Sequence, residues 1–431
     1  MNKSTLDFWI HKKISSIQPH LAPAELEEWQ INQFNQSLSF VKQKSAFYRQ
    51  HFKELPDKIS HLKELQQFPF TTESDIRQSH QSFVCVSQNE IERVVTLTSS
   101  GTTGEPKRIF FSKSDQFLTI DFFGIGMSNL TQPENRVLIL LPGERPGSVG
   151  DLLRLGLIQA GRVPVPYGMI QDPDAVLSIM RTQKIDCLVG SPTQILGLAA
   201  RTNDCDFSPH SVLLSTDYVP SAIVKRIRKS WNCDVYNHYG STEMGLGGGV
   251  ECEAHRGYHM READLLFEIV DRHNGNPVQE GEYGEVVFST LTRQAMPLIR
   301  YRTGDMARFL PSACPCGSVL KTMEKVQGRY MNFIPLEEGL LRLADLDEAL
   351  FAIPDLLNFS VTVTGTRNQP DLYIEAQILN DSDRSEEMHD LLKTIPLTKD
   401  LHITAISHYN PQEAGNLQKR IFIDRRQIEP E

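Results

Sequence analysis

Val94-Val-Thr-Leu-Thr-Ser-Ser-Gly-Thr-Thr-Gly-Glu-Pro-Lys-Arg-Ile-Phe-Phe111 is the stretch from which the rest of the chain is read. Val94 to Thr98 is largely β-branched. Ser99, Ser100, Gly101, Thr102, Thr103 and Gly104 are hydroxyls and glycines, and Ile109 to Phe111 is apolar again. That order predicts strand, loop, strand. Glycines let consecutive backbone N–H groups converge on an anion, hydroxyls add donors, and Lys107 adds a mobile positive charge. A polyphosphate is the natural guest of such a loop. A flexible Ser/Gly-rich turn is the plainer reading of the same residues. The G-x-x-x-x-G-K-S/T spacing of a Walker loop is absent, and the segment that follows reads as strand rather than helix.

The composition around this stretch is that of a globular protein, with 40% hydrophobic and 23% charged residues. A chain of 431 residues is too long for one core, so two or three domains are expected. The net charge of −10 offers no basic field for nucleic acid. Lys225-Arg-Ile-Arg-Lys229 reads as the solvated face of a helix. No apolar run approaches the ~20 residues that span a bilayer, and Met1 to Thr5 leads into no signal-peptide core. Seven cysteines, an odd number, argue for a reducing cytoplasm rather than a disulfide framework.

Residues 1 to about 60 carry a helical pattern, with Phe34, Leu38, Val41, Tyr48 and Phe52 on one face. Beyond the loop, apolar runs alternate with helical segments: Arg136 to Leu141 as strand, Val149 to Ala160 as helix, Cys187 to Gly190 as strand. Ser211 to Leu214 continues this as strand and Ser221 to Trp231 as helix. The alternation predicts a mainly parallel sheet covered by helices. From about 262 to 327 the texture turns strand-rich. After Gly328 it becomes a small α+β module. The expected fold is therefore α/β, with a large domain over 1–327 containing a β-rich subdomain, and a small, mobile C-terminal α+β domain over 328–431. The glycines at 245, 247, 248 and 249 have the wrong spacing for a dinucleotide fingerprint.

Three further constellations carry chemistry. In Tyr239-Gly-Ser-Thr-Glu243 an aromatic ring can stack on a base, Gly240, Ser241 and Thr242 can approach a phosphate, and Glu243 can hold Mg²⁺. In Tyr301-Arg-Thr-Gly-Asp305 the carboxylate can accept both hydroxyls of a ribose, or pair with Arg302 on the surface. Cys252, His259, Cys314 and Cys316 make a tetrahedral zinc set, with His255 as a competing ligand and buried free thiols as the plainer reading. Four protein ligands leave no open position, so such a zinc is structural.

Ser99 to Lys107 resembles, position for position, the phosphate-loop signature of the adenylate-forming enzymes, which include the acyl-CoA synthetases. Tyr239 to Glu243 and Tyr301 to Asp305 resemble two further blocks of that superfamily. Phe68-Pro-Phe-Thr-Thr and Pro297-Leu-Ile-Arg-Tyr-Arg302 resemble its phenylacetate–CoA ligase branch. The resemblance implies an AMP-forming ligase that activates an organic, aromatic carboxylic acid with ATP and Mg²⁺ and passes the acyl group to coenzyme A. It implies Tyr239 on adenine, Asp217 lining the adenine pocket, Thr242 on the α-phosphate, Glu243 on the metal, Asp305 on ribose and Arg329 at a hinge. It also implies a homodimer; composition has already set nucleic-acid and membrane partners aside and placed the chain in the cytoplasm. Transfer to a protein or carrier thiol, or a catalytically weakened nucleotide-binding homologue, are the alternatives.

Two departures bear on that last alternative. Met331 stands where the family has a hinge aspartate, and Asn416 where it has a lysine that bridges carboxylate and α-phosphate. Lys419 or Arg420 could serve from a shifted register. Loss of one such cation costs on the order of 10²–10³ in rate, by analogy with an oxyanion donor.

Overall fold

The computed structural model describes residues 3–14, 18, 20–97, 105–202, 207–330, 333–366, 369–409 and 420–426. The chain forms two compact units. One comprises Met1–Glu134, Pro142–Val163 and Tyr236–Val326; the other comprises Asn135–Leu141, Pro164–Val235 and Gln327–Glu431.

In the first unit the strands Ile91–Leu97 and Lys107–Ser112 pair antiparallel, ending at Leu97 opposite Lys107. They flank the quoted loop as the sequence predicts; the loop itself, residues 98–104, lies outside the described residues. Ser112 then caps the helix Lys113–Met127. Its hydroxyl accepts from the Asp115 amide while the Asp115 carboxylate accepts from the Ser112 amide, so two otherwise orphan donors are satisfied. The helix Val149–Gln159 lies close against it. A Cβ at Gly156 would sit 2.6 Å from the Ile120 carbonyl oxygen. Three antiparallel strands, Leu265–Val270, Gly284–Thr290 and Tyr301–Ala307, make the β-rich part. Phe34, Tyr48, Phe52, Phe68 and Phe83 join its core, which fixes the N-terminal helices.

A second antiparallel set holds Gly249–Glu251 between residues 238–239 and Tyr258–Met260, with Thr322–Met323 outside it. Here the glycines with the wrong fingerprint spacing find their reason. A Cβ at Gly247 would lie 2.4 Å from the Phe122 ring, and one at Gly249 would lie 2.9 Å from the His259 carbonyl oxygen. They permit close packing, not pyrophosphate binding.

In the second unit Arg136–Leu140, Cys187–Gly190 and Ser211–Leu214 pair in parallel. The latter two are buried along their whole length, as strands covered on both faces must be. Pro164 and Pro166 sit on the edge strand, where a missing N–H is tolerated. The helix Ser221–Trp231 buries Ala222, Ile223, Ile227 and Trp231, and leaves Lys225, Arg228 and Lys229 exposed. Three of the four cations of the basic cluster thus form a solvated face, while the half-buried Arg226 donates to the Leu356 carbonyl at 2.6 Å. Asn232, at φ +48°, ends the helix in the left-handed region that asparagine tolerates.

The C-terminal part of this unit has a four-stranded sheet in the order His402–Tyr409, Pro370–Ile378, Leu356–Gly365, Ile421–Asp424. The helices Leu343–Leu350 and Ser385–Lys393 pack on it. The strand Ile421–Asp424 was not foreseen, because four residues beside a run of charges carry no period. Leu346, Leu350, Phe351, Phe359 and Val361 share one core with Leu138, Leu188, Val212 and Ile223.

Candidate active site and a thiol–imidazole cluster

Lys107 starts its strand and turns inward, 3% exposed. Its Nζ lies 3.0 Å from Glu73 Oε2 and forms an ion pair with the carboxylate of Glu243. Glu73 is the first residue of the helix Glu73–Ser79, whose start is set by the Thr72–Asp75 capping box. Arg77, one turn on, donates to Glu73 Oε1 from Nε at 2.9 Å and from Nη2 at 2.6 Å. Burial pushes the Glu243 carboxyl up. The charge and hydrogen bond of Lys107, with bonds from its own amide and from Ser241, outweigh burial and leave it below its ordinary value. Glu73 is held low in the same way, by Lys107 and then Arg77 against partial burial. Both carboxylates are ionised at neutral pH, and one ammonium is shared between them.

Glu243 is also fixed through its backbone. Its carbonyl accepts from Arg293 Nη1 at 2.6 Å, and the Arg293 guanidinium lies 4.4 Å from the centre of the Phe111 ring. Arg293 is 8% exposed, its Nε and Nη2 have no hydrogen-bond partner among the described residues, and burial lowers its pKa to about 10. A cavity of about 20 Å³ lined by Asp115, Thr119, Arg261 and Thr292 lies beside it, room for one water. Gly240, Ser241 and Thr242 form the turn that carries Glu243. Leu246 N bonds the Ser241 carbonyl at 2.8 Å and Gly245 N the Thr242 carbonyl at 3.0 Å.

Tyr239 and Asp305 meet directly: the phenol donates to Asp305 Oδ2 at 2.8 Å, and both residues are buried. The Arg302–Asp305 alternative is not what forms. Arg302 Nε bonds Glu285 Oε2 at 2.9 Å, and Asp305 is left to Tyr239 and to other interactions. Gly304, at φ +76°, makes the bend that turns Asp305 inward. Lys107, Glu243, Tyr239, Ser241, Thr242 and Asp305 therefore belong to one compact unit. Glu73 and Arg293 complete the set and escaped the sequence reading. Glu73 directly follows the quoted Phe68 to Thr72 segment, but as a helix-start residue it had a sufficient local role. Arg293 had no local signal.

Asp217 and Arg329 lie in the second unit. Arg329 is exposed just after Gly328, whose φ is +125°. Asp217 Oδ1 accepts from the Tyr218 amide, and its Oδ2 lies 3.5 Å from Arg420 Nη2. Arg420 is buried and reaches Asp347 at 2.7 Å and the Tyr218 carbonyl at 3.0 Å. Burial pushes the Asp347 carboxyl up to about 8, even though Arg420 opposes this. Even beside Arg420 the carboxyl is therefore largely protonated at neutral pH. Arg420→Met should destabilise the protein by about 1–3 kcal/mol, since it leaves a buried polar carboxyl without its partner. Adding Asp347→Leu should recover part of that loss in a denaturant melt. Met331, Asn416 and Lys419 lie outside the described residues. Glu348 reinforces the same region, accepting from the amides of Ser221 and Ala222 at the start of their helix.

The thiol–imidazole set also assembles. The ligand atoms of Cys252, His259, Cys314 and Cys316 lie within 4.8 Å of one another, and all four residues are buried. Cys252 Sγ is 3.6 Å from Cys314 Sγ, and Cys316 Sγ is 3.3 Å from His259 Nε2. Ligands about 2.3 Å from a tetrahedral zinc would be roughly 3.8 Å apart, so this spacing fits a zinc with little adjustment. His259 comes from the strand Tyr258–Met260 and Cys252 from just beyond Gly249–Glu251, so one hairpin supplies two ligands. The loop with the other two is tied down by Asp7, which accepts from Ser318 Oγ and the Val319 amide. His255 is not a member. It stands at φ +49° beside Glu251, 3.6 Å away, and against the Tyr236 ring.

Residues 15–294, more than half of the chain, match the family model described as AMP-binding enzyme. The chain is 29% identical over 379 residues to the phenylacetate-coenzyme A ligase of Thermus thermophilus, covering 83% of this chain and 84% of that one. It is 27% identical over 323 residues to the phenylacetate-coenzyme A ligase of Escherichia coli, covering 71% of each. Among solved structures it is similar to a 2-hydroxyisobutyryl-CoA ligase in the postadenylation state in complex with R3-HIB-AMP. The TM-score there is 0.82 at 18% identity, over 94% of this chain and 90% of that one, a likeness of fold.

Proposed function

Because the chain belongs to the AMP-binding enzyme family, we propose that it is an AMP-forming acid–CoA ligase. It activates an organic carboxylic acid with ATP to an acyl-adenylate and transfers the acyl group to the thiol of coenzyme A. The phenylacetate-coenzyme A ligases among its relatives support an aromatic acid. One observation carries the reading: Lys107, at the foot of the hydroxyl- and glycine-rich loop, meets Glu243 at the end of the Tyr239 turn. The ammonium that follows the loop in sequence and the carboxylate suited to a cation thus meet at one point.

In this mechanism the loop 99–104 and Lys107 bind the β- and γ-phosphates. Asp305 accepts the ribose hydroxyls and Tyr239 supports the base, while Asp217 serves the adenine pocket. Glu243 fits a hard divalent cation, since a positively charged group already stands at its ionised carboxylate. When bound there, Mg²⁺ would supply charge stabilisation to the triphosphate. Thr242 bonds the α-phosphate as the acid's carboxylate oxygen attacks phosphorus and pyrophosphate leaves. The coenzyme A thiol then attacks the acyl carbon and AMP departs. We assign the turning of a mobile 328–431 domain about Arg329 to the interval between these steps. The Cys252, His259, Cys314 and Cys316 set takes a structural zinc. A homodimer is proposed on the family resemblance.

The test is thioester formation from a panel of aromatic and aliphatic acids with ATP, Mg²⁺ and CoA, read by mass spectrometry. Acyl-CoA together with AMP is the expected product. Exchange of ATP with pyrophosphate without acyl-CoA would point to a protein or carrier thiol. No exchange with any acid would favour a nucleotide-binding homologue, the reading that Asn416 supports.

A further inference from the structure

Lys107 is one ammonium between two carboxylates, and only one of them is suited to the nucleotide's cation. Glu243 is 4% exposed at its side chain, whereas Glu73 is 41% exposed and clamped from its other side by Arg77. Around Lys107 the charges balance, with Lys107 and Arg77 against Glu73 and Glu243, and the neighbouring Arg293 is offset first by Asp115. A divalent cation arriving at Glu243 upsets that balance, because the buried carboxylate would face three positive charges at close range. The ammonium must then leave Glu243. Glu73 Oε2 is already within hydrogen-bond distance, so Lys107 needs only to release one of its two partners.

We propose that Glu73 is a positioning residue. It retains Lys107 when the metal takes Glu243, so that metal arrival exchanges one cation for another at a single buried carboxylate. The lysine then stays at the foot of the phosphate loop, ready for the triphosphate. Arg77 fixes the Glu73 carboxylate for that purpose, and its Nη1 bond to the Glu105 carbonyl at 2.8 Å ties the clamp to the residue that follows the loop in sequence. The inference rests on the reading of Glu243 as the metal ligand.

Glu73→Gln removes the second anchor. Lys107 then binds Glu243 alone and competes with the metal. ATP binding measured by titration calorimetry at a series of Mg²⁺ concentrations, with no acid present, reads this without turnover. The Mg²⁺ concentration giving half of the maximal ATP affinity should rise on the order of tenfold, the worth of one charge-assisted hydrogen bond. ATP affinity at saturating Mg²⁺ should change less than about twofold, since no group on the nucleotide is lost. Glu73→Asp should restore the wild-type Mg²⁺ dependence in large part. The Thr72–Asp75 capping box is untouched by either change, so the helix start is kept, and a thermal melt checks this.

Glu243→Gln separates the two layers of the argument. Should it leave the Mg²⁺ dependence of ATP binding intact, the metal assignment itself fails. If Glu243→Gln abolishes that dependence but Glu73→Gln does not move it, or weakens ATP equally at every Mg²⁺ concentration, the role given to Glu73 is overturned and the metal assignment stands.

Discussion

Glu243→Gln is expected to lower carboxylate-dependent ATP–pyrophosphate exchange by about 10²–10³-fold, the loss typical of one electrostatic contact made in the transition state. The substitution keeps size and hydrogen-bonding capacity and removes only charge. Lys107→Met should lose a comparable amount, but for a mixed reason. It leaves Glu243 buried without its cation, which costs about 3–5 kcal/mol of stability. The two effects are separable. The double variant Lys107→Met/Glu243→Gln removes both charges together, so its melting temperature should lie above that of Lys107→Met alone. Its exchange rate should fall no further than that of the worse single variant, because groups that act as a unit lose their function only once. A double variant as slow as the product of the two single losses would mean that the residues act separately and that the contact between them is incidental.

Zinc removal carries the second large effect. Protein purified without chelator should hold about one zinc per chain by elemental analysis, and Cys316→Ser should drop this well below one. A bound zinc would stabilise the fold by mass action. At a free concentration 100 to 1,000 times its dissociation constant this amounts to roughly 2.7–4.1 kcal/mol. For a unit of this size that corresponds to a fall of about 5–15 °C in melting temperature on stripping. The fall should begin in the neighbourhood of the Cys314–Ser318 loop, which hydrogen exchange would report as loss of protection at Val319, whose amide bonds Asp7. The N-terminal helix that carries Asp7 should loosen with it. ATP affinity should change little in the same sample, since no member of the cluster touches Lys107, Glu243 or Asp305 among the contacts described. A protein that binds no zinc and melts at the same temperature with and without Cys316 would reduce the cluster to packed free thiols.

Most of the site was legible where the residues involved lie close together in sequence. Tyr239 to Glu243 is a turn, and Tyr301 to Asp305 is a bent strand end, so a few consecutive residue types suffice to name them. The flanks of the phosphate loop were legible because a β-branched run and an apolar run on either side of glycines predict a hairpin, and Leu97 does pair with Lys107. Glu73 and Arg293 were not legible. Glu73 has a complete local account as the opening residue of a capped helix, and its bond to Lys107 spans 34 residues. Arg293 serves a carbonyl 50 residues away, and nothing near it in sequence foretells a carbonyl in need of a donor. By sequence position Arg420 is a candidate substitute cation. The structure instead engages it with Asp347 and with the Tyr218 carbonyl, so within its unit it ties chain segments together.

Taken alone, the order of residue types settled the α/β class, the position of the hairpin and the chemical kinds gathered in the chain: hydroxyls, an ammonium, two carboxylates, thiols and an imidazole. Periodicity and turn chemistry act over a few residues, and that range is enough to fix them. Tertiary structure alone decided the choice among equivalent partners. Arg302 took Glu285 and not Asp305, His259 and not His255 joined the thiols, and Lys107 settled between Glu73 and Glu243. Each choice rests on distances of a few ångström between segments far apart in the chain, where Coulombic and hydrogen-bond energies fall off too steeply for sequence spacing to rank the candidates.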